Sequence, residues 1–414
     1  MKKNSKIGWI VWSLAIAFYL YEYLLRVFPS AATKAIMQAF DLQASSFAIM
    51  VAYYLYAYAP MQLVSGLLID RFGARMWLTI SCVLCAVGCL LFAESTNFYS
   101  GAFARFLMGM GSACAFVGVI YLSSHWFSLR LLPFLIGLAN SFGMLGAALG
   151  EGPISYLSGK YGFDEINIVF AITGFFLAIF IFFIVRNDPA KEGTPHERHR
   201  LSIKETFRVA ISNKKLWINA CAALFFYLPT IGFGALWAAP FVRGVYHTSE
   251  HLGALASSMF YFGWILGGPI FGRVAVKSKD KRRDVALTPL GAFVALIALI
   301  YFPVQNIIWP FFWLFVAGCF CSAELIHYSL SIEFSSKEVK ATASALTNFL
   351  VFAGGALVQT IVGFELDLLW KGEMLEGLRI YSPSAYQVSM AIFPIALIIA
   401  SFISWFGLKT KEAH

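Results

Sequence analysis

A few ionisable side chains interrupt long apolar stretches of the sequence. Glu22 and Arg26 lie four residues apart, and Arg105 lies in another apolar stretch. On a helix, residues at i and i+4 share a face, so Glu22 and Arg26 can form an ion pair. A charge at the centre of a membrane helix costs at least about 2.5–3.5 kcal/mol and is tolerated mainly where it is paired or faces a cavity. These residue types and spacings therefore suit the binding of a charged solute and the transfer of a proton.

A second group combines a carboxyl with an imidazole. Glu324 and His327 are three residues apart, which again places them on one helical face. Because a Glu–His pair can exchange a proton near neutral pH, we predict a proton relay; the alternative is a polar pair that lines a cavity or an inner gate. Glu151, between two glycines, is a further candidate for a gating or binding role.

The elements that hold these residues are predicted to be membrane-spanning helices. Hydrophobic residues make up 59% of the 414 residues and charged residues 13%, whereas a soluble domain carries about 25% charged residues. A helix crosses the bilayer core with about 20 apolar residues. Twelve continuously apolar stretches have about that length: 8–29, 46–69, 76–93, 98–122, 131–157, 165–185, 216–241, 252–275, 286–304, 308–332, 342–364 and 385–407. The sequence thus predicts an all-α membrane protein.

The hydrophilic stretch 187–215 divides these spans into two sets of six. We predict an N-terminal six-helix bundle at 1–186, a cytoplasmic linker at 187–215 with an amphipathic helix at 202–209, and a C-terminal six-helix bundle at 216–414. The formal net charge is +9, and most Lys and Arg residues fall in the loops on the side of the two termini. By the positive-inside rule, both termini are predicted to lie on the cytoplasmic side of a bacterial inner membrane. This distribution also argues against nucleic-acid binding.

Weak internal repetition supports two related halves. Gly66–Arg75, after the second apolar stretch, has a counterpart in Gly272–Lys281 after the eighth. At nearly the same offset, Asn140 recurs as Asn348. Such matches are typical of transporters built from duplicated halves around a site near the membrane midplane.

Two motifs resemble those of the major facilitator superfamily. The stretch Gly66–Arg75 reads G-x-x-x-D-R-x-G-x-R, and Arg105–Gly111 reads R-x-x-x-G-x-G. The resemblance implies two pseudo-symmetric six-helix bundles that move a small solute by alternating access, with a monomer as the working unit. It also implies a gating role for the motif residues between the second and third spans, which are Gly66, Asp70, Arg71, Gly73 and Arg75.

The run Phe18–Ser30 more narrowly resembles the phagosomal nutrient transporters of intracellular bacteria, a subgroup that takes up amino acids and nucleosides. Two departures from the superfamily patterns bear on function. Val276 stands where Asp70 stands in the first copy of the loop motif, so a latch of the kind the family implies is degenerate in the second copy. Gly152-Pro153 lacks the paired glycines of the fifth-helix antiporter pattern, which weakens an efflux interpretation.

The predicted site lies in the outer half of the first and fourth spans. At about 1.5 Å per residue, Glu22 lies roughly 21 Å from the inner start of its span, and Arg105 lies roughly 10 Å from the outer face. We predict that Arg26 or Arg105 binds a substrate carboxylate while Glu22 takes a proton; the alternative is an ion pair that only fixes helix packing. Further predicted substrate contacts, each with ordinary packing as its alternative, are Tyr19, Tyr23, Tyr54, Asn140 and Asn348.

These features together predict a secondary active transporter that imports an amino acid or short peptide with protons. The alternative is a proton-driven exporter of amphipathic compounds or a siderophore. The expected partners are a small-molecule substrate, protons and the lipid bilayer. No P-loop, HExxH or GxSxG motif points to an enzyme. We expect no cofactor and no metal, because Cys82, Cys85 and Cys89 have no nearby histidine and fit as small packing residues.

Overall fold

The computed structural model describes residues 6–128, 130–187, 208–209, 211–278, 280–336 and 339–408. Within these ranges, twelve helical segments are long and apolar enough to cross a membrane. The chain is therefore a multi-pass membrane protein, and the prediction of an all-α fold with twelve spans is confirmed. The predicted amphipathic helix at 202–209 lies outside the described residues except at its last two positions.

Spans 1 to 6 form what we call the N-terminal half. Their bounds are Lys6–Ala31, Ala44–Phe72, Ala74–Ala93, Phe98–Ser112 continued by Ala115–Trp126, Leu132–Tyr161 and Phe163–Ile184. A short helix, Thr33–Ala39, lies between spans 1 and 2.

Spans 7 to 12 form the C-terminal half. Span 7 comprises Lys214–Leu228, the π-helix Pro229–Trp237 and Ala238–Tyr246, and spans 8 and 9 are Glu250–Lys277 and Lys281–Tyr301. Span 10 comprises Ile308–Cys321, the 3₁₀-helix Ser322–Leu325 and Ile326–Glu333, and span 11 is Lys340–Leu368. Span 12 comprises Pro383–Ser389, Ile392–Phe402 and the π-helix Ile403–Gly407. Between spans 11 and 12, β1 (Met374–Leu375) pairs antiparallel with β2 (Leu378–Arg379).

Several helices begin before their apolar stretch, and span 9 shows why. The sequence predicts a start at position 286, but the helix begins at Lys281. The Asp280 carboxylate accepts hydrogen bonds from the backbone nitrogens of Arg282 (3.1 Å) and Arg283 (3.3 Å). This cap stabilises a charged first turn, which an analysis based on hydropathy alone does not detect.

Spans 7 and 10 change helical type along their length. The π-helix of span 7 begins at Pro229, whose nitrogen carries no hydrogen and leaves a carbonyl of the regular α-helical pattern without a donor. In span 10, the 3₁₀ turn carries Glu324. Short π and 3₁₀ segments inside a helix alter the direction in which side chains point and often mark functional positions.

Matching glycine contacts occur in the two halves. A Cβ atom on Gly109 of span 4 would collide with the backbone of Tyr54 in span 2, and a Cβ atom on Gly318 of span 10 would collide with the backbone of Phe260 in span 8. A Cβ atom on Gly111 would meet the carbonyl of Ser81 in span 3. The two glycines of the R-x-x-x-G-x-G motif, Gly109 and Gly111, thus allow span 4 to approach the backbones of spans 2 and 3 closely. The repeated contact supports the proposed division into two related halves.

The two halves meet along a seam formed by spans 2 and 11 and by spans 5 and 8. We call the end of the bundle with the described chain ends the termini end, and the opposite end the distal end. At the distal end, a Cβ atom on Gly363 would lie 2.7 Å from the Ala44 carbonyl, and one on Gly152 would lie 2.8 Å from a Leu255 methyl group. Hydrogen bonds between the halves also cluster there. The seam is therefore closed at the distal end.

The same helix faces are open at the termini end. Gly66 lies roughly five helical turns from Ala48, which contacts Gly363, and Gly137 lies roughly three turns from Ala148, whose carbonyl is bonded to span 8. Among the described residues, no atom other than the local backbone of the same helix lies within 4 Å of the Cβ position of Gly66 or Gly137. The structure is thus closed at one end of the seam and open at the other.

Candidate functional site

An ion pair occupies the middle of span 1. The Arg26 Nη2 group lies 3.0 Å from each carboxylate oxygen of Glu22. The Tyr54 hydroxyl of span 2 donates to Glu22 Oε2 at 2.9 Å. Glu22 is 0% exposed and Arg26 4%. Two donors therefore stabilise the carboxylate in a position that water does not reach.

An aromatic cage surrounds the Arg26 guanidinium and brings the two halves together. Its Cζ lies 4.2 Å from the ring centre of Tyr23, 4.6 Å from Tyr58 and 4.9 Å from Phe352. Phe352 belongs to span 11, so Arg26 lies at the seam. Arg26 Nε and Nη1 are buried, and neither has a hydrogen-bond partner among the described residues. Because buried donors are rarely left unsatisfied, these two nitrogens are candidates for ligand binding.

Arg105 is placed differently. It is 0% exposed, and its Nη1 donates to the carbonyl of Leu25 at 2.8 Å while Nη2 donates to the carbonyl of Arg26 at 3.4 Å. Its Cζ lies 4.7 Å from the ring centre of Tyr54. These contacts join span 4 to the backbone of span 1 next to the ion pair. We therefore assign Arg105 a positioning role, and its direct binding of substrate stays a prediction.

The predicted tyrosines of span 1 face span 5. The Tyr19 hydroxyl donates to the Tyr23 hydroxyl at 3.4 Å. A Cβ atom on Gly143 would lie 2.8 Å from the Tyr19 ring and 3.0 Å from the Tyr23 ring, so only glycine leaves room for both. Asn140, about one turn before Gly143, is partly buried. Tyr19 and Tyr23 thus pack against span 5 about one turn from Asn140.

In the C-terminal half, His327 belongs to a network of hydrogen bonds. Asn219 Nδ2 donates to the His327 carbonyl at 2.9 Å and to Ser331 Oγ at 2.8 Å. The remaining amide oxygen, Oδ1, lies 2.8 Å from His327 Nδ1, so Nδ1 carries the hydrogen of this contact. His327 Nε2 is buried and has no partner among the described residues.

Glu324 does not bond to His327. It lies on the 3₁₀ turn of span 10, is 1% exposed, and its Oε1 has no hydrogen-bond partner among the described residues. The spacing predicts one shared face, but no hydrogen bond joins the two groups among the described residues. Any relay between them requires another molecule or another conformation, and the relay stays a prediction.

Three residues of the site were missed by the analysis of the sequence: Tyr58, Tyr227 and Phe352. The Tyr227 and Phe352 ring centres lie 5.9 Å apart, and those of Tyr58 and Phe352 lie 4.5 Å apart. Tyr58 follows Tyr54 by one turn, and Phe352 follows Asn348 by one turn. Extending each predicted face by four residues would have found Tyr58 and Phe352. Tyr227 lies on span 7, where no site residue was predicted. The predicted Asn348 accepts a hydrogen bond from the Tyr328 hydroxyl at 2.7 Å.

The loop between spans 2 and 3 is attached to the end of span 6. Asn187 Oδ1 accepts from the Arg75 backbone nitrogen at 3.0 Å. Gly73 has a φ of +81°, and a Cβ atom there would overlap the Asn187 amide, so the loop requires glycine. The Arg75 guanidinium lies 4.5 Å from the Phe182 ring centre, and exposed Arg71 lies 5.5 Å from that of Phe72. The Asp70 side chain lies outside the described residues, so its latch role stays a prediction.

Glu151 lies at the closed end of the seam. It is 0% exposed, and neither carboxyl oxygen has a hydrogen-bond partner among the described residues. The next residue, Gly152, donates its backbone N–H to Ser258 Oγ of span 8 at 3.0 Å. Its predicted gating role is untested by this geometry, but its position at the seam is clear.

The part of the chain that the structure describes contains no group of three or more His, Cys, Asp or Glu residues arranged to hold a metal ion. Cys82 Sγ donates to the Gly174 carbonyl at 3.2 Å, and Cys89 Sγ lies 3.6 Å from the Tyr21 hydroxyl. These cysteines contact spans 6 and 1.

Twelve spans with a buried ion pair at the seam between two halves are the architecture of a membrane transporter. The sequence model of the Major Facilitator Superfamily matches residues 11–359. The chain belongs to this family, and it is a transporter rather than an enzyme.

Curated relatives are distant. The hexuronate transporter of Escherichia coli (strain K12) is 24% identical over 441 residues, covering 100% of this chain and 96% of that protein. The probable L-galactonate transporter of the same strain is 22% identical and covers 84% of this chain and 80% of that protein. A match to the probable sulfoacetate transporter of Cupriavidus necator is 24% identical but covers only 46% of this chain and 44% of that protein.

Solved structures confirm the fold. A bacterial homologue of the human lysosomal transporter Spinster, solved in an inward-facing and unoccupied conformation, has a TM-score of 0.76 with 16% identity and covers 99% of this chain and 100% of its own. The nucleoside transporter NupG has a TM-score of 0.76 with 12% identity and covers 96% of this chain and 99% of its own. At these identities the likeness concerns the fold alone. The phagosomal subgroup predicted from Phe18–Ser30 stays a prediction.

Proposed function

We propose that this protein imports a small carboxylate-bearing nutrient, an amino acid or a short peptide, together with protons. It acts as a monomer in a bacterial inner membrane, with both termini in the cytoplasm. In this orientation the distal end faces outward, and the structure represents a state that is open toward the cytoplasm.

The unsatisfied nitrogens of Arg26 are the observation that carries this proposal. Hydrogen bonds between a guanidinium and a carboxylate are charge-assisted and stronger than neutral ones. Nε and Nη1 of Arg26 are buried without partners among the described residues, while Nη2 is held by Glu22. Arg26 therefore has donors available for a second carboxylate beside the carboxyl group that already shares the arginine.

This arrangement supplies a mechanism for proton coupling. Arg26 forms a salt bridge with Glu22 in the structure. A substrate carboxylate on Arg26 weakens that pair, because one cation then faces two anions. Protonation of Glu22 removes the repulsion, so substrate and proton are expected to bind together.

The C-terminal half offers a partner for the ammonium group of an amino acid. Glu324 is buried, and its Oε1 has no partner among the described residues. Tyr227 and Tyr328 lie close enough to interact electrostatically with both Glu324 and Arg26. A small zwitterion can therefore place its opposite charges on the two halves.

A second candidate substrate is a sugar acid. The curated relatives that cover more than four-fifths of this chain include transporters of hexuronate and L-galactonate. Such substrates use the same carboxylate site on Arg26 but place hydroxyl groups near Tyr23 and Tyr58.

The test is a thermal-shift screen of the purified protein against amino acids, dipeptides, nucleosides and sugar acids, followed by counterflow of each hit in proteoliposomes. A ligand that binds the folded state raises its apparent stability. Uptake that a proton gradient drives supports the proposal. Uptake that ignores the gradient overturns the coupling, and accumulation only in the outward direction favours the exporter.

Arg26 provides the sharpest variant. Arg26→Gln is expected to weaken binding by roughly 10–100-fold, because a charge-assisted hydrogen bond contributes about 1.5–3 kcal/mol. Arg26→Lys keeps the charge but loses the planar guanidinium and its fixed donors, so an intermediate loss is expected. Isothermal titration with the ligand from the screen measures both.

Arg273→Gln is the matched control. This exposed guanidinium bonds only to the Pro269 carbonyl of its own helix, at 3.4 Å, among the contacts described. The affinity of the Arg273→Gln protein for the ligand is expected to be unchanged. Equal losses in Arg26→Gln and Arg273→Gln would exclude a specific site at Arg26.

A further inference from the structure

Glu151 occupies the contact between the two halves at the distal end. Its neighbours in span 5, Ala148 and Gly152, are bonded to Ser258 of span 8: the Ser258 hydroxyl donates to the Ala148 carbonyl at 2.9 Å and accepts from the Gly152 nitrogen at 3.0 Å. A Cβ atom on Gly150 would contact Val27 and Leu24 of span 1. The Glu151 carboxyl is thus enclosed by spans 1, 5 and 8 when the seam is closed.

The enclosure contains hydroxyl groups but no cation paired with the carboxyl. The side chains of Ser30 and Ser257 lie beside it, yet Ser257 Oγ donates to the Gly234 carbonyl at 3.4 Å. Neither Glu151 oxygen makes a hydrogen bond within the described residues, and the Ser30 and Tyr261 hydroxyls are likewise unsatisfied. An ionised carboxylate without a partner is very costly away from water, whereas a protonated carboxyl can donate to a hydroxyl oxygen.

The other ionisable groups on these helices have their own partners or lie further along. On span 1, Arg26 pairs with Glu22. At the start of span 8, Glu250 lies 3.9 Å from Arg243 of span 7. His251 packs against Tyr156, with ring centres 5.5 Å apart, and its buried Nδ1 has no hydrogen-bond partner among the described residues. Tyr261 of span 8 interacts electrostatically with Glu151 and also with Arg26 and Tyr23.

We propose that Glu151 is a proton-binding site of the seam. The proton is bound while the distal end is closed, and it is released when that end opens to water. Closure then requires a proton on Glu151, and loss of this proton favours opening of the distal end. The site differs from Glu22 because it lies at the distal contact between spans 5 and 8, and its carboxyl makes no hydrogen bond to a predicted substrate group among the described residues. The inference rests on the proposed alternating access, but its conformational readout needs no substrate.

The experiment measures the distance across the distal end as pH changes. Spin labels are placed at Thr96→Cys and Val304→Cys, which lie in exposed distal loops of the two halves, in a background where the partly buried Cys221 and Cys319 are replaced by alanine. In the wild-type background, the ratio of closed to open molecules is expected to fall as pH rises, by up to about tenfold per pH unit through the transition. Glu151→Gln, which stays neutral, is expected to remain closed across the whole range.

Two further variants separate the sources of pH dependence. His251→Asn removes a neighbouring imidazole and is expected to keep the wild-type transition. Glu151→Ala serves as a second neutral variant if Glu151→Gln does not fold, and it is expected to remain closed as well.

A wild-type distance that does not change with pH overturns the inference, as does a transition that survives in the neutral Glu151 variants. Neither result depends on which solute is carried. Failure of every solute in the transport screen, with the pH-dependent distance intact, would instead count against the proposed substrate class alone.

Discussion

The two ends of the seam use the same helices in opposite ways. At the distal end, Gly363 and Gly152 leave no room for a Cβ atom, since backbone or side chains of the opposite half lie within 3 Å. At the termini end, Gly66 and Gly137 lie on the corresponding faces of spans 2 and 5 and have open space around them. The glycines at the distal end permit the close contact of this structure. We infer that the glycines at the termini end permit a similar contact when that end closes.

The closed end is held by polar contacts that are easily reversed. The backbone nitrogens of Ala44 and Ser45, in the first turn of span 2, donate to the Tyr381 hydroxyl at 3.1 Å and to Asp367 Oδ2 at 2.8 Å. The first turn of a helix leaves its N–H groups without helical partners. Span 2 therefore obtains part of its N-terminal cap from the other half, and only while the distal end is closed.

The largest expected effect comes from adding bulk to opposite ends of the seam. Gly363→Leu places side-chain atoms against the Ala44 carbonyl, so distal closure is expected to weaken and transport to fall more than about tenfold. Gly66→Leu meets no atom in the present state and is expected to hold the distal end closed. The distance between the distal spin labels distinguishes the two.

Both variants lower transport, so the conformational shift is the decisive measurement. Opposite shifts support the comparison of the two ends. Shifts in the same direction would show that the glycines act on folding rather than on the seam.

A smaller effect is expected from weakening the cap that the C-terminal half provides to the first turn of span 2. Asp367→Asn removes the negative charge that faces the N-terminus of span 2, where anions are favoured, and weakens the contact with Ser45. The closed state is expected to lose about 1–2 kcal/mol, or roughly a tenfold shift toward the distal-open state, measured by the same labels.

Arg379→Gln is its control, because Arg379 bonds to Asp367 Oδ1 at 3.3 Å within the C-terminal half. That variant is expected to shift the equilibrium much less. If the two variants shift it equally, the cap across the seam is not the stabilising contact.

The smallest effect concerns Lys34 and Glu376, which pair across the seam at 2.6 Å on the exposed surface. The Lys34 ammonium holds the pKa of the Glu376 carboxyl below its usual range. A group with a depressed pKa stabilises the closed state above its ordinary pKa, and this contribution is lost as pH falls through the lowered value. Acidification is therefore expected to loosen the distal end slightly, and Glu376→Gln to remove that acidic component.

This acidic effect has the opposite sign to that of Glu151, for which acidification favours closure. Measuring the distal distance as a function of pH in Glu376→Gln and in Glu151→Gln separates the two pH effects. High salt screens an exposed pair and is expected to reduce only the Glu376 contribution.

The spans and the pair on span 1 could be predicted from sequence because both depend on neighbours in the chain. Continuous hydropathy predicts helices, and an i, i+4 spacing predicts the contact between Glu22 and Arg26. The R-x-x-x-G-x-G motif marks Gly109 as a special position, but the pattern does not say that Tyr54 lies opposite it.

The seam could not be predicted in the same way. Phe352 completes the cage around Arg26, and Asp367 caps span 2, although each lies more than 300 positions along the chain from its contact. Periodicity gives the face of a helix but not the helix it meets. The 3₁₀ turn that carries Glu324 was missed for another reason, because no proline or glycine marks that turn in the sequence.

The backbone amides of Ala44 and Ser45 can be used to measure opening of the distal end. While the distal end is closed, both are bonded to the opposite half; once it opens, they face water like the first turn of any exposed helix. Their exchange in deuterated water is then governed by how often the two halves part. Two unmodified backbone positions can thus report the frequency of conformational turnover in the native protein, without a label, a substrate or an engineered cysteine.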